Sequence, residues 1–232
     1  MGTILAALLT VGSAARCAAP EPTIYPRSAW TSDPSQADEP DPKKVRIIVH
    51  HSAELVTDEM KKLRGAESLK AAAGAIYHDY LLHTRVNGWA DIGYHYMIDW
   101  EGRIFAARPV EMLGAHAESA NPGSVGICLL GNLQEQRPTA AQLASLQALS
   151  AWLADLYGIS PEHIGGHHHY DATQCPGRYL EDDKDPDTPL RRIRLALIEQ
   201  RRRADFFALQ RRRFDALSPA LAARWDGALK AP

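Results

Sequence analysis

The chain has 232 residues, of which 45% are hydrophobic and 23% are charged. This length and composition allow one or two domains with an apolar core, and they exclude a disulfide-stapled miniprotein, a disordered chain and a protein with many membrane spans. The formal net charge of -2 argues against nucleic acid as a partner, because nucleic-acid-binding domains are strongly basic.

The first 19 residues predict a signal sequence for export. They form a short apolar run that ends in small residues around Cys17, and the run is too short to span a bilayer. No Lys or Arg precedes this run, so the alternative is a cytosolic protein with a disordered N-terminus. Residues 20–44 are rich in Pro, Ser and Asp and predict a linker or a wrapping segment.

Residues 45–185 predict a single α/β domain with a central mixed sheet flanked by helices. Short β-branched apolar runs indicate the strands, and capping residues followed by apolar positions at helical spacing indicate the helices. Thr139 with Gln142 is the clearest capping pair. The expected elements are a strand at 45–51, a helix at 57–84, a hairpin at 94–107, a strand at 124–130 and a helix at 139–158.

The last segment, 186–232, predicts a helical extension that is rich in arginine. Nine Arg and two acidic residues lie between Leu190 and Phe214, with Phe206 and Phe207 among them. Such a helix could contact an anionic polymer or a membrane surface through its Arg side chains. The alternative is a helix that packs its Phe residues on the preceding domain and leaves its Arg in solvent.

Two histidine-rich segments indicate a metal site. His50 and His51 end the first predicted strand, and three consecutive His, 167–169, precede Cys175 in a loop bounded by Gly and Pro. Imidazoles and thiolates are zinc ligands, and a catalytic zinc site takes three ligands from the protein. Because neighbours in an extended chain point to opposite sides, one His from each segment plus Cys175 is the simplest set. The alternative is a polar loop and a buried thiol.

Five motifs, in this order, resemble those of the zinc N-acetylmuramoyl-L-alanine amidases, a family that includes the peptidoglycan recognition proteins and phage lysozyme-type amidases. The motifs are Ile48–Ala53 (IVHHSA), Trp89–Tyr96 (WADIGYHY), Gly114–His116 (GAH), Ser124–Asn132 (SVGICLLGN) and Gly166–Gly177 (GHHHYDATQCPG). The resemblance runs from about Pro26 to Leu180. It implies one zinc ion in a cleft at the strand ends, and hydrolysis of the bond between N-acetylmuramic acid and L-alanine in peptidoglycan.

The resemblance also implies roles for single residues. Carried over position by position, the zinc ligands are His50, His167 and Cys175. Tyr94 would hydrogen-bond the attacking water, and the Thr173 hydroxyl would donate to the developing oxyanion, with a turn role as the alternative for Thr173. The residues expected to contact the substrate are His51, Trp89, His116 and Asn121. For His51 a buried position against a helix, for Trp89 the core and for His116 a plain loop are the alternatives.

Two other functions compete with the amidase. Relatives that only bind peptidoglycan commonly lack the Cys ligand, which this chain retains at Cys175, so the resemblance favours an enzyme over a recognition module. A zinc hydrolase of another class, such as a peptidase or a deacetylase, would share the metal but not the order of the five motifs. Tight binding of muropeptides without turnover would indicate the recognition module.

Overall fold

A computed structural model of the protein describes residues 19–217, which fall into two units, 19–199 and 200–217. Residues 1–18, which hold nearly all of the predicted signal sequence, lie outside the described residues, as do residues 218–232 of the extension. Along the described part of the chain, no helix combines the length and the apolar character needed to cross a membrane.

Six strands and four α-helices make up the regular structure of residues 19–217. The strands are β1 (Ile24–Tyr25), β2 (Arg46–His51), β3 (Tyr96–Ile98), β4 (Ile104–Ala106), β5 (Ser124–Leu129) and β6 (Ile164–Gly166). The α-helices are α1 (Asp58–Lys62), α2 (Gly65–Leu81), α3 (Ala140–Tyr157) and α4 (Pro189–Leu217). A π-helical turn at Leu82–Val86 follows α2, and a 3-10 turn at His167–His169 follows β6.

The strands form one mixed sheet in the order β1-β4-β3-β5-β2-β6. The β3–β4 hairpin is antiparallel, and the other neighbouring strands are parallel. The predicted α/β fold with a central mixed sheet, and the predicted helix at the C-terminal side, are therefore confirmed. The central strands β5 and β2 are buried along nearly their whole length, as their β-branched sequences predict.

Helices cover both faces of the sheet. Alternate residues of β2 point to opposite faces, so Ile47 packs in one core with Leu146 of α3. The other core joins Ile76 of α2 to Met97 and to Cys128, which is fully buried as a small apolar residue. His50 pairs in register with Cys128, so its side chain lies on this same face of the sheet.

The helix predicted at 57–84 is interrupted. Thr57 caps α1 by accepting a hydrogen bond from the Met60 amide, as the sequence indicates, but α1 ends after about one turn. Gly65, the first residue of α2, has a φ of 58°, in the left-handed region that favours glycine. Apolar periodicity does not reveal this break, because a single Gly inside a helical pattern is usually tolerated.

Residues 20–44 contact the domain at several points. β1 pairs with β4, the Arg27 guanidinium forms an ion pair with Asp91 at 2.9 Å, and Trp30 is buried in the core on the α2 side. These are the contacts of a wrapping segment, so the unit 19–199 begins well before the first motif.

Helix α4 continues through the second unit. There, Phe206 and Phe207 are 55% and 56% exposed. Contact of this arginine-rich stretch with an anionic surface stays a prediction.

Candidate functional site

The register of the sheet places the two histidine segments side by side. β2 and β6 are parallel neighbours in which Val49 pairs with Gly166, so the residues that follow, His50 and His167, emerge together at the carboxyl ends of the strands. Their ring centroids are 4.5 Å apart. The loop after the His167–His169 turn brings the Cys175 Sγ to 3.6 Å from the His50 Nδ1.

These residues suit a zinc ion. One ligand atom from each of His50, His167 and Cys175 lies within 4.8 Å of the other two. Two imidazoles and a thiol form a zinc ligand set, and three protein ligands beside an accessible groove are typical of catalytic zinc. His167 is partly exposed and lines such a groove. The set that the resemblance implied is thus brought together by the fold.

His50 is oriented by a chain of hydrogen bonds. The Ser124 hydroxyl donates to the Asn121 carbonyl at 2.7 Å, so its oxygen accepts from the His116 Nε2–H, 3.1 Å away. The His116 Nδ1 then accepts from the His50 Nε2–H at 3.0 Å. This order leaves a lone pair on the His50 Nδ1, the nitrogen that faces Cys175, as a metal ligand requires.

His167 is oriented by a carboxylate. Its Nε2 lies 2.8 Å from Oδ2 of Asp171, and donation of the Nε2–H to this oxygen leaves Nδ1 to bind a metal. Both side chains are partly exposed. A carboxylate partner makes an imidazole a more basic ligand. The two His ligands therefore differ in their hydrogen-bond partners, which are a neutral imidazole for His50 and a carboxylate for His167.

Burial sets the protonation of the candidate ligands. It lowers the pKa of His50 and of His116 well below the ordinary value for imidazole, so both rings are neutral near pH 7. Neutral imidazole is the form that binds metal. Burial raises the pKa of the Cys175 thiol to about 12. Because a coordinated thiol is deprotonated, metal binding to Cys175 releases a proton.

The two predicted catalytic side chains contact different members of this cluster. The Tyr94 ring centroid is 5.1 Å from that of His50, and burial raises the pKa of Tyr94 well above its ordinary value, so the phenol stays neutral. Thr173 is exposed, and its hydroxyl accepts a hydrogen bond from the Cys175 amide at 3.2 Å. That contact agrees with the turn role for Thr173, although the hydroxyl can still donate its own proton.

A groove of about 710 Å³ extends from His167, and its walls include Trp89, His116 and Asn121. Trp89 is 38% exposed and stacks on His83 with ring centroids 4.6 Å apart, so it forms part of the wall and not of the core. The Asn121 Oδ1 accepts hydrogen bonds from the backbone amides of residues 116 and 117 and thereby holds this loop.

His51 is placed differently from the other predicted substrate residues. It is 8% exposed, and its Nδ1 accepts a hydrogen bond from the Leu133 amide at 2.9 Å. Burial lowers the pKa of His51 to about 4. His51 is therefore buried, and its hydrogen bond is to the backbone of the loop between β5 and α3 and not to a helix. Its contact with the substrate stays a prediction.

Three polar residues of the site were not predicted from the sequence, namely Asp171, Ser124 and His83. Asp171 had a local signal, because it follows His167 by four residues, a spacing at which side chains in a helical turn meet. Ser124 and His83 had none, because each contact joins a regular element to an irregular loop: Ser124 of β5 meets His116, and His83 of the π-helical turn meets Trp89. The His83 ring also packs edge-on against Tyr94, with centroids 5.4 Å apart.

The fold is shared by known proteins. A family model described as N-acetylmuramoyl-L-alanine amidase matches residues 41–178. Peptidoglycan recognition protein 1 of Bos taurus is 30% identical over 180 residues, which cover 76% of this chain and 88% of that protein.

Solved structures include both an amidase and a recognition protein. The endolysin N-acetylmuramoyl-L-alanine amidase LysCS from Clostridium intestinale URNW matches with a TM-score of 0.58 and 25% identity, over 77% of this chain and 97% of that chain. A Tyr-to-Phe variant of Drosophila PGRP-LB in complex with tracheal cytotoxin matches with a TM-score of 0.56 and 26% identity, over 66% of this chain and 88% of that chain.

Proposed function

The chain belongs to the N-acetylmuramoyl-L-alanine amidase family, and we propose that it is a zinc-dependent enzyme that hydrolyses the amide bond between N-acetylmuramic acid and L-alanine in peptidoglycan or its fragments. The observation that carries this proposal is the approach of the His50, His167 and Cys175 ligand atoms to within 4.8 Å of one another beside the groove. Recognition without catalysis would need the groove but not this ligand set.

Each candidate ligand has an atom available to bind the ion. His50 and His167 would hold the ion through Nδ1, because the Nε2–H of each is engaged by His116 or by Asp171. Cys175 would add a negative charge once its proton is released. When bound, zinc lowers the pKa of a water from about 15.7 toward about 7 and polarises the scissile carbonyl.

The hydrolysis requires transfer of one proton from the attacking water to the leaving nitrogen. The water oxygen bonds to the lactyl carbonyl carbon, the carbon–nitrogen bond breaks, and the alanine nitrogen leaves as an amine that has gained a proton. Tyr94, a neutral phenol beside His50, would hydrogen-bond the attacking water and pass its proton on. The Thr173 hydroxyl would donate to the developing oxyanion as a weaker, neutral donor.

The groove would bind the glycan and the stem peptide. Trp89 offers an exposed aromatic face, and Asn121 adds a polar side chain along the wall. His116 also borders the groove, but both of its ring nitrogens are engaged within the protein, so it would contribute shape and not a hydrogen bond. A variant of Drosophila PGRP-LB is similar to this chain and binds tracheal cytotoxin. This similarity supports a muropeptide as the ligand of this chain. The partners proposed are therefore peptidoglycan or muropeptides, and not nucleic acid.

Mass spectrometry of purified muropeptides incubated with the zinc-loaded protein tests the proposal. We expect release of stem peptide that begins at L-alanine, and its loss both in Cys175→Ala and in the presence of a chelator. Tight binding of the same muropeptides without release would contradict the enzyme and favour the recognition module. Release that persists in Cys175→Ala would contradict the ligand assignment.

Export of the protein is a separate proposal, which rests on the apolar N-terminal run of residues 1–19. Sequencing the N-terminus of the mature protein from its native cells is expected to find residues 1–19 removed. A mature chain that still begins at Met1 would contradict cleavage of this segment.

The arginine-rich end of α4 carries the proposed contact with an anionic surface. Replacing Arg212 and Arg213, which are both exposed, with Gln is expected to weaken sedimentation with cell walls and to leave muropeptide hydrolysis unchanged. The wild-type interaction should also weaken with salt, because the charges are exposed. Equal sedimentation of the variant and the wild type would contradict this contact.

A further inference from the structure

A second group of metal-ligating side chains lies where the loop after β2 meets helix α2. Glu54, His78 and Asp79 each offer a ligand atom within 4.8 Å of the other two. The His78 Nδ1 is 2.7 Å from the Glu54 Oε1. His78 and Asp79 are neighbours in α2, whereas Glu54 comes from the loop, so the fold assembles the group from two separate segments.

Asp79 is a buried carboxyl group with an unpaired oxygen. Its side chain belongs to a residue that is only 5% exposed, and its Oδ2 has no hydrogen-bond partner among residues 19–217. Buried polar atoms are nearly always paired, and a buried carboxylate without a partner is costly. Burial, together with the charge of Glu54, raises the pKa of Asp79 to about 8. The unpaired oxygen therefore calls for a proton or for a cation.

The neighbours of Asp79 favour the cation. A proton would satisfy the Asp79 carboxyl alone, whereas a divalent cation would also engage Glu54 and His78, which lie within the same small volume. Zinc accepts imidazole and carboxylate ligands together. Magnesium and calcium prefer oxygen ligands throughout, so the imidazole favours a transition metal.

We propose that Glu54, His78 and Asp79 form a second metal site, which binds a divalent transition-metal ion such as Zn²⁺ through three protein ligands. His78 and Glu54 have side chains that are 53% and 42% exposed, so the ion can enter from solvent. Such an ion ties the loop that follows His50 to helix α2, and its role is to stabilise the support of the candidate catalytic centre. The site does not depend on whether the chain is an amidase.

A third group supplies a control. His168, His169 and Asp183 also offer ligand atoms within 4.8 Å of one another. They differ from the proposed site in lacking a buried, unpaired carboxylate, and His169 is already paired with Glu181 at 3.2 Å. Binding at this exposed group is the main competing explanation for a second equivalent of zinc.

The zinc content of the full-length protein, measured by elemental analysis after equilibration with buffered zinc and desalting, tests the site. We expect two equivalents in the wild type and one in Glu54→Gln and in His78→Gln. Cys175→Ala should also retain one. The double variant with His168→Gln and Asp183→Asn should keep two. A single equivalent in the wild type that disappears in Cys175→Ala would overturn the proposal, as would a second equivalent lost only in the double variant.

Asp79→Asn provides a second test that separates the cation from a proton. In the Cys175→Ala background, added zinc is expected to raise the melting temperature, and Asp79→Asn should abolish this rise. If Asp79 needs only a proton, the neutral amide would leave the zinc response and the zinc content unchanged, which would overturn the proposal. Neither measurement uses muropeptide hydrolysis, so failure of the proposed amidase activity would be seen separately.

Discussion

The candidate zinc centre has two sides that are built differently. The strand side consists of His50, His116 and Ser124, and the loop side consists of His167, Asp171 and Cys175. His50 and His116 are 1% and 7% exposed and are joined by hydrogen bonds between neutral groups, whereas the loop side is partly exposed and uses a carboxylate. Folding therefore completes the strand side, and we expect the loop side to depend more on the metal.

The strand side is closely packed. A Cβ atom on Gly126 of β5 would lie 2.5 Å from the His116 Cδ2, so only glycine lets the imidazole lie against this strand. The Gly126 amide donates to the His95 Nδ1 at 2.9 Å, which fixes a second buried imidazole beside the first. We therefore expect substitutions in this region to lower both the stability of the fold and the affinity for zinc.

Replacing Cys175 with Ala is expected to have the largest effect on function and little effect on the fold. Zinc affinity should fall by more than the ~10–100-fold that is typical of residues that only orient a ligand, and hydrolysis should fall to background. The free energy of unfolding of the metal-free protein should change by less than about 1 kcal/mol, because Cys175 is only partly buried as a residue and Ala leaves no buried polar group that has lost a strong partner. Chelator competition and denaturant unfolding measure the two quantities. A large loss of metal-free stability would contradict the distinction between the two sides.

His116→Ala is expected to affect both metal binding and stability. Zinc affinity should fall about 10–100-fold, because the His50 ring loses the partner that orients it. The metal-free protein should lose about 1–3 kcal/mol of unfolding free energy, because the buried His50 Nε2–H is left without an acceptor. His116→Gln, which offers an acceptor of another shape, should recover part of the loss. Unchanged zinc affinity in His116→Ala would remove His116 from the metal centre.

Acid should destabilise the fold next to the strand side through His95, a buried imidazole whose ring centroid lies 5.6 Å from that of His116. Burial lowers the pKa of His95 to about 3, against an unfolded value of 6.5, so below pH 6.5 the unfolded state binds a proton that the native state does not. Stability is therefore complete above about pH 6.5 and falls with pH, by up to about 1.4 kcal/mol per pH unit for this one group. Denaturant unfolding of the metal-free protein between pH 7.5 and pH 5 measures the slope, and His95→Gln should reduce it. A level profile would contradict the neutral state of His95.

Asp171→Asn is expected to have the smallest effect. The loss of the carboxylate should weaken zinc binding toward the lower end of the ~10–100-fold range for partners of metal ligands, because solvent can replace part of the contact with His167. Metal-free stability should change by less than about 0.5 kcal/mol. The same titrations as for His116→Ala measure both values. A stability loss equal to that of His116→Ala would erase the difference between the two sides.

The regular elements were predictable where local chemistry specifies them. The Thr139 and Gln142 capping box begins α3 and Gly158 ends it, as the sequence indicates. The break at Gly65 and the π-helical turn at Leu82–Val86 were not predictable, because a helical apolar pattern continues through both. Tertiary packing decides there which of several allowed backbones the chain adopts.

The site was predictable in its ligands and less so in their partners. Residue type and the resemblance pointed to His50, His167 and Cys175, and the fold brings these three together. The buried contact of His51 with Leu133 and the unpaired oxygen of Asp79 depend on long-range packing, which leaves no local pattern in the sequence. Helical periodicity places Asp79 on a helix but does not say what its carboxylate faces.

The sequence by itself determined which chemical groups stand at the end of β2 and in the loop after β6, and therefore which metal they could bind. Only the tertiary structure decided how those groups act. The parallel register of β2 and β6 places His50 beside His167, and the His50 tautomer follows from His116, which is 66 residues away in the chain. The reason is physical: a ligand's identity is covalent, whereas its orientation and protonation come from neighbours that only folding supplies.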